Sequence, residues 1–353
     1  MGNILWVIGA GASKHLRIPL LNEFRHFFHE IWWRYENNRR DHEICNYVPA
    51  AIGIMGGHPD KNIEQLLSPS SDLTDDARNT LKNAIRRAFE RRQIGSFARQ
   101  THAGNRTEGN KFDAYSRLIC CMEDGDSIVS FNYDNAFEYV LSSINSSFQS
   151  LNLSELSQGE RIALELACRD KWIPGDIHAV LTQYTMSYLP SPLFSTPAIG
   201  GGNKRISLIK LHGSINWFQS STSGQIHVGE PSENRTPLLA YPEPSKPESQ
   251  QPPLNNVMQA AVKTLNESRR IVIIGYSFPP SDSDEHPFVT KLLAAKDIKA
   301  IAAFDPVPSY GLRQAVTPER TFKVKFEDCF ASKCADGKSM SEWVRGFRSM
   351  GDV

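Results

Sequence analysis

Ile4-Leu5-Trp6-Val7-Ile8-Gly9-Ala10-Gly11-Ala12-Ser13 is the stretch on which the reading of this chain turns. Five apolar residues run straight into a Gly-x-Gly turn, the pattern of a parallel strand buried on both faces whose carboxyl end opens onto a phosphate site. The glycines let the backbone come close to a pyrophosphate, and Ser13 offers a hydroxyl at the start of the following helix. Gly-rich turns after strands are common, so this stretch alone gives a strand and a turn. Function has to come from the other strand ends.

With 353 residues, 40% of them hydrophobic, the chain is long enough for one large α/β domain or two smaller ones and is neither disordered nor fibrous. Lys plus Arg equals Asp plus Glu at 39 each, so no overall positive field exists to hold a nucleic-acid backbone, and direct nucleic-acid binding is not expected. The opening Met1-Gly2-Asn3 lacks the basic residues of a signal peptide, and the apolar run after it is too short to span a bilayer. Trp6 stands where myristoylation needs Ser or Thr. The six cysteines, at 45, 120, 121, 168, 329 and 334, have neither a disulfide framework nor the paired spacing of a zinc module. They read as reduced thiols of a cytoplasmic protein, with no metal expected.

Along the chain, Phe24, Phe28, Ile31 and Tyr35 share one helical face, with Trp32 beside them, either as core or as a subunit contact. Asn62 can cap a short helix over 63–67, and Thr74 or Asp75 a longer one to about Gln93, with Leu81, Ile85, Ala88 and Phe89 as its apolar stripe. Arg86, Arg87, Arg91 and Arg92 flank that stripe as a solvated face or one that meets an acidic partner. Residues 101–110 read as a polar loop. A further helix is expected over about 156–172, carrying Ile162, Leu164, Leu166 and Ala167, followed by a surface loop over 189–203. Residues 219–256 are the most irregular part, a lid or a partner-binding loop, with a short strand at 238–241. Helices are expected over 256–266 and 286–296.

Four more apolar runs behave like the first. Ser127-Ile128-Val129 leads to Ser130-Phe131-Asn132-Tyr133-Asp134 and then to helical spacing over 135–141. Ile206 to Leu211 ends in His212-Gly213-Ser214, Ile271 to Ile274 in Gly275-Tyr276-Ser277, and Ile298 to Phe304 in Asp305-Pro306. In an open parallel sheet ligands lie beyond the carboxyl ends of the strands, where Asn132, Asp134, His212 and Asp305 all fall. Two readings fit each: Asn132 and Asp134 can be helix caps, and His212 a hydrogen-bonded structural residue.

The ordered set GAGAS, SFNYD, KLHGS, GYS and Asp305 resembles the sirtuin superfamily, and more closely its sirtuin-like NAD-hydrolase branch found in bacterial anti-phage defence. The resemblance is discontinuous and covers the core from residue 4 to about 306. It implies a Rossmann-like doubly wound parallel sheet in one domain over 1–353. The NAD-binding core would lie mainly in 1–25, 126–145 and 205–310, with helical insertions at about 26–125 and 146–204 and a C-terminal segment 311–353. It implies that Gly9, Ala10, Gly11 and Ser13 hold the pyrophosphate, that Asn132 contacts the nicotinamide ribose and positions water, and that Asp134 bonds the carboxamide. His212 would be the catalytic histidine, Gly275 and Ser277 a second phosphate-side contact, and Asp305 a contact to the adenosine ribose. The chain departs from typical deacylases in two places. Leu20-Leu21-Asn22 follows Pro19 where they carry Pro-Asp-Phe-Arg, and no cysteine lies between His212 and Gly275, so the four-Cys zinc module is absent.

The chemistry suits a small residue set. Cleavage between nicotinamide and ribose passes through an oxocarbenium-like state, and the leaving group already carries positive charge, so no general acid is required. The expected activity is that of an NAD glycohydrolase giving nicotinamide and ADP-ribose, with NAD as substrate. An ADP-ribosyl-transferring or deacylating enzyme and a non-catalytic nucleotide-binding module are the alternatives. An unrestrained NAD hydrolase would deplete its own cell, and about 48 residues after Asp305 are too few for a sensor domain. Control by self-assembly or by a partner is therefore expected, and the resemblance points to a HerA-type hexameric ATPase. Trp32-Trp33 or the segment Trp343-Val344-Arg345-Gly346-Phe347 would supply the contact.

Overall fold

Every residue of the first strand, β1 (Ile4–Ile8), is buried, as an interior strand with a parallel neighbour on each side requires. In the computed structural model the described residues are 3–16, 18–20, 22–35, 42–102, 113–144, 180–181, 183–220, 223–229, 235–241, 251–279, 282, 286–297, 299–330 and 338–349. The helix expected over 156–172 and most of the loop expected over 101–110 lie outside them.

After β1 comes a single helical turn, α1 (Ala10–Ser13), and then the helices α2 (Phe24–Tyr35), α3 (His42–Gly57), α4 (Ile63–Leu67), α5 (Asp75–His102) and α6 (Asp113–Cys120). The chain returns to the sheet with β2 (Ser127–Ser130) and leaves it with α7 (Ala136–Ile144). Next are β3 (Tyr184–Tyr188), β4 (Ala198–Gly200), β5 (Lys204–Lys210), β6 (Gly213–Ser220), β7 (Ile226–Val228) and β8 (Arg235–Leu239). The last part alternates α8 (Leu254–Glu267), β9 (Arg270–Ile274), α9 (Pro287–Ala294), β10 (Ala300–Phe304), α10 (Tyr310–Ala315), β11 (Thr321–Phe322) and α11 (Met340–Ser349).

Eight strands form one sheet in the order β11-β10-β9-β1-β2-β5-β3-β4, parallel throughout except for the antiparallel edge pair β3–β4. The sequence moves from β1 to one side through β2 and β5, then crosses to the other side through β9 and β10. The order therefore reverses between β1 and β9, the kind of position where doubly wound sheets open a ligand crevice. The mixed α/β fold with a parallel-dominated sheet is thus the one expected.

Local chemistry accounts for the elements around this frame. Asn62 and Gln65 form a reciprocal capping box, each side chain accepting the other's backbone N–H at 2.9 Å. Phe24, Phe28 and Ile31 are buried as the helical spacing requires, and Phe27 joins them by packing edge-on against Phe89 of α5 at 5.5 Å. Two regions differ from expectation. Residues 213–239 contain a three-stranded antiparallel sheet, β7-β6-β8, and the stretch expected as a loop over 189–203 contains β4. The C-terminal α11 turns Trp343, Val344 and Phe347 into the protein's own core, where Trp343 meets Phe304 and Phe322 edge-on, so these rings are not a partner surface. Trp33 of α2 is 73% exposed.

Candidate active site

The tips of five neighbouring strands are level. Ile8 of β1 pairs with Ser130 of β2 and Ile274 of β9, Ser130 pairs with Lys210 of β5, and Ile274 with Phe304 of β10. The residues that follow each tip therefore meet around one cavity of about 800 Å³, within the roughly 300–1,000 Å³ of small-molecule and cofactor sites. Ala10, Gly11, Asn132 and His212 line it, as do Gly275, Ser277 and Asp305. Gly9, Ser13 and Asp134 do not. The lining also includes Ile18, Pro19, Leu20 and Phe24 from the segment after α1, and Asn62 and Phe89 from the helical insertion.

The two glycine turns at the crossover are packed backbone against backbone. Gly9 N–H donates to Ile274 O at 2.9 Å and Gly11 N–H to Gly275 O at 2.8 Å. A Cβ on Gly9 would stand 2.5 Å from Gly275 O, and one on Gly275, which has φ +61°, would stand 2.3 Å from Ala12 N. Glycine is required here first by the contact between the turns, and only Gly11 and Gly275 of the three also border the cavity.

Ser13 lies at the end of the α1 turn, not at its start, and is fully buried. Its hydroxyl is the hub of an internal network. Asp134 Oδ2 accepts from Ser13 Oγ at 2.6 Å while Oδ1 accepts Ala136 N–H at 3.1 Å, which caps α7. Having donated its one proton to the carboxylate, Ser13 Oγ accepts from Tyr115 O–H at 2.6 Å and from Asn132 Nδ2 at 2.8 Å. Burial and the Asp134 charge push the Tyr115 phenol well above its ordinary value, which keeps it a donor. The network thereby dictates the Asn132 amide orientation. Its nitrogen points to Ser13, and its buried Oδ1 finds no hydrogen-bond partner among the described residues. An acceptor held in this way on a cavity wall suits a hydroxyl or water brought by a ligand.

His212 is 6% exposed, and its Nδ1 lies 3.1 Å from Phe131 O. A carbonyl only accepts, so Nδ1 carries the proton and the lone pair of the neutral ring resides on Nε2. Nε2 faces Asp282 Oδ1 at 3.6 Å. Two residues before His212, Lys210 at the tip of β5 is 1% exposed and reaches Glu138 Oε1 of α7 at 3.2 Å, with Asp134 O and Ser214 Oγ as further acceptors. Burial pushes the Glu138 carboxyl up, and the Lys210 charge pulls it back.

Several of these groups escape a reading of the sequence. Asp282 lies in Ser281-Asp282-Ser283-Asp284-Glu285, a composition that looks like solvated turn. Tyr276, buried between Gly275 and Ser277, donates to Asp282 Oδ2 at 2.9 Å. Lys210 had a legible signal: a lysine ending the apolar run Ile206-Ser207-Leu208-Ile209 needs a buried partner. Among the described residues no group of three or more His, Cys, Asp or Glu side chains is gathered to hold a metal ion, and no helix is long and apolar enough to cross a membrane.

No model of a known protein family matches the chain, and no curated protein matches it in sequence. Its structural neighbours are Sir2 homologues. A Sir2 homologue variant in complex with 2′-O-acetyl ADP ribose aligns over 98% of this chain and 92% of its own, at 12% identity and a TM-score of 0.41. A Sir2 homologue in complex with NAD aligns over 98% and 89%, at 12% identity and a TM-score of 0.41. A Sir2 bound to acetylated peptide aligns over 92% and 89%, at 8% identity and a TM-score of 0.33.

Proposed function

We propose that this chain binds NAD across the β1/β9 crossover and hydrolyses the bond between nicotinamide and ribose, releasing nicotinamide and ADP-ribose. The observation that carries this reading is the meeting of His212 and the oriented Asn132 amide on one cavity bordered by two glycine turns. Ala10, Gly11, Gly275 and Ser277 take the pyrophosphate side, and Asp305 the adenosine ribose. Asn132 Oδ1 accepts from a ribose hydroxyl or the attacking water, and Ser13 and Asp134 act by holding that amide in place. His212 Nε2 accepts a proton as the water attacks.

The leaving nicotinamide departs as a neutral molecule, so the site needs orientation and charge stabilisation rather than an acid. Such an activity fits an NAD-depleting effector of bacterial anti-phage defence. It requires restraint, which we assign to self-assembly or to a partner such as a HerA-type hexameric ATPase. Support for the defence role and for that partner comes from the resemblance of the strand-end motifs.

The test is product chromatography after mixing the isolated chain, at several concentrations, with NAD. Equal amounts of nicotinamide and ADP-ribose are expected, with specific activity rising with protein concentration if self-assembly is the gate. His212→Ala and Asn132→Ala should each lose about a hundredfold or more in rate without losing the cooperative melting transition. His212→Ala releasing nicotinamide as fast as the parent overturns the assignment. Labelled ADP-ribose on an acceptor would instead indicate transfer.

A further inference from the structure

The cavity wall beside His212 carries a second proton-accepting group. Asp282 is 3% exposed and lines the cavity, with Oδ1 3.6 Å from His212 Nε2. Its other oxygen accepts the Tyr276 O–H at 2.9 Å. The Tyr276 ring stacks on Phe131 at 3.9 Å and 17°, and it is the Phe131 carbonyl that fixes His212 Nδ1. One pair of stacked rings therefore sets both the imidazole and the carboxylate. Burial and the Asp282 charge hold the Tyr276 phenol well above its ordinary value, so it remains the donor at neutral pH.

In a Ser-His-Asp triad the carboxylate stands behind the imidazole, on Nδ1. Here a carbonyl occupies that place and the carboxylate lies on the reacting side. A gap of 3.6 Å exceeds a direct hydrogen bond and is small enough for one water to touch both groups. Tyr133 and His286 also face the imidazole, with ring centroids at 5.9 and 6.1 Å, and neither is a carboxylate.

We propose that Asp282 and His212 together hold the attacking water, Nε2 accepting one of its hydrogens and Oδ1 the other, and this assignment rests on the NAD-cleaving reading above. In the step, the water oxygen bonds to C1′ of the nicotinamide ribose as the C1′–N bond breaks. The bonding pair leaves with nicotinamide, cancelling its positive charge. One water proton passes to Nε2, and the imidazolium so formed faces the carboxylate before returning its proton to solvent. The same carboxylate faces the positive charge that develops on the sugar.

Asp282→Asn keeps the shape and still accepts from Tyr276. Its kcat for nicotinamide release should fall about thirtyfold or more, with ADP-ribose affinity by calorimetry within about threefold of the parent. Loss of the facing negative charge makes the imidazolium easier to deprotonate, so the acid limb of the kcat/KM profile should move about one unit to lower pH. Asp282→Glu should restore part of kcat, and Tyr276→Phe, which keeps the ring stack but frees Oδ2, should lose about fivefold. An Asp282→Asn kcat within about threefold of the parent and an unmoved acid limb overturn the proposal, provided the parent cleaves NAD and His212→Ala does not. If Asp282→Asn loses its melting transition, Tyr276→Phe decides, and unchanged kcat and pH profile there overturn it. A parent chain that neither cleaves NAD nor binds ADP-ribose overturns the NAD reading itself.

Discussion

The Asp305 carboxyl is 8% exposed at the tip of β10 and accepts the Val307 N–H at 2.8 Å. Burial pushes it above its ordinary value of 3.8, and that single hydrogen bond offsets the effect only in part. An acid harder to ionise in the fold keeps its proton longer there than in the unfolded chain. Stability therefore falls as pH rises from 3.8 through the raised value, and the whole penalty is present at neutral pH. Asp305→Asn should thus raise Tm by a degree or more at about pH 7, gain nothing at about pH 3, and weaken ADP-ribose binding. Melting curves at the two pH values and calorimetry at neutral pH measure the trade. At this scale the sequence was informative where a polar residue ends an apolar run, as with Asn132, His212 and Asp305. It was silent where the meaning of a residue depends on a distant partner. Ser13 reads as a phosphate ligand until Tyr115, Asn132 and Asp134 are brought to it from more than 100 positions away.

At the scale of elements, the buried Lys210–Glu138 pair ties the tip of β5 to α7 two residues before His212. Removing one charge strands the other in a dry environment. Lys210→Met should cost about 3–5 kcal/mol and lower kcat by tilting the β5 tip, whereas Lys210→Met with Glu138→Leu should recover much of the stability. Denaturant melts of the two single variants and the double variant close the cycle. The strands flanking β1 were legible because burial on both faces demands continuous apolar runs. The small sheet was legible only in part: the end of β8 falls in the strand expected at 238–241, whereas β6 buries Trp217 and Phe218 on its two faces between polar residues, and β8 contains Pro237 opposite Phe218 next to a register shift. α3 was equally hidden: Pro49 inside it breaks the pattern by which helices are recognised.

Across the whole molecule, the amino ends of the strands are locked as firmly as the carboxyl ends are open. Asp126, fully buried ahead of β2, accepts the Ile4 N–H at 2.9 Å, the Trp6 indole N–H at 3.1 Å and the Glu123 N–H at 3.2 Å. Arg348 of α11 completes it with a two-pronged guanidinium contact, one arm of which measures 2.9 Å. Arg348→Met should destabilise by about 3–5 kcal/mol, and Arg348→Lys should recover little because an ammonium lacks the fork. Thermal melts of both variants against the parent test this. Of the two segments offered for a partner contact, the C-terminal one turns Trp343, Val344 and Phe347 inward, because its apolar spacing is that of a core-facing helix, which periodicity cannot tell from an interface.

The lock at Asp126 also has a meaning in time. Arg348 lies 222 positions after Asp126, so in synthesis the guanidinium that completes the lock is made after every other part of it. The amino edge of the sheet can thus close only after all the strands that surround the cleft have been made.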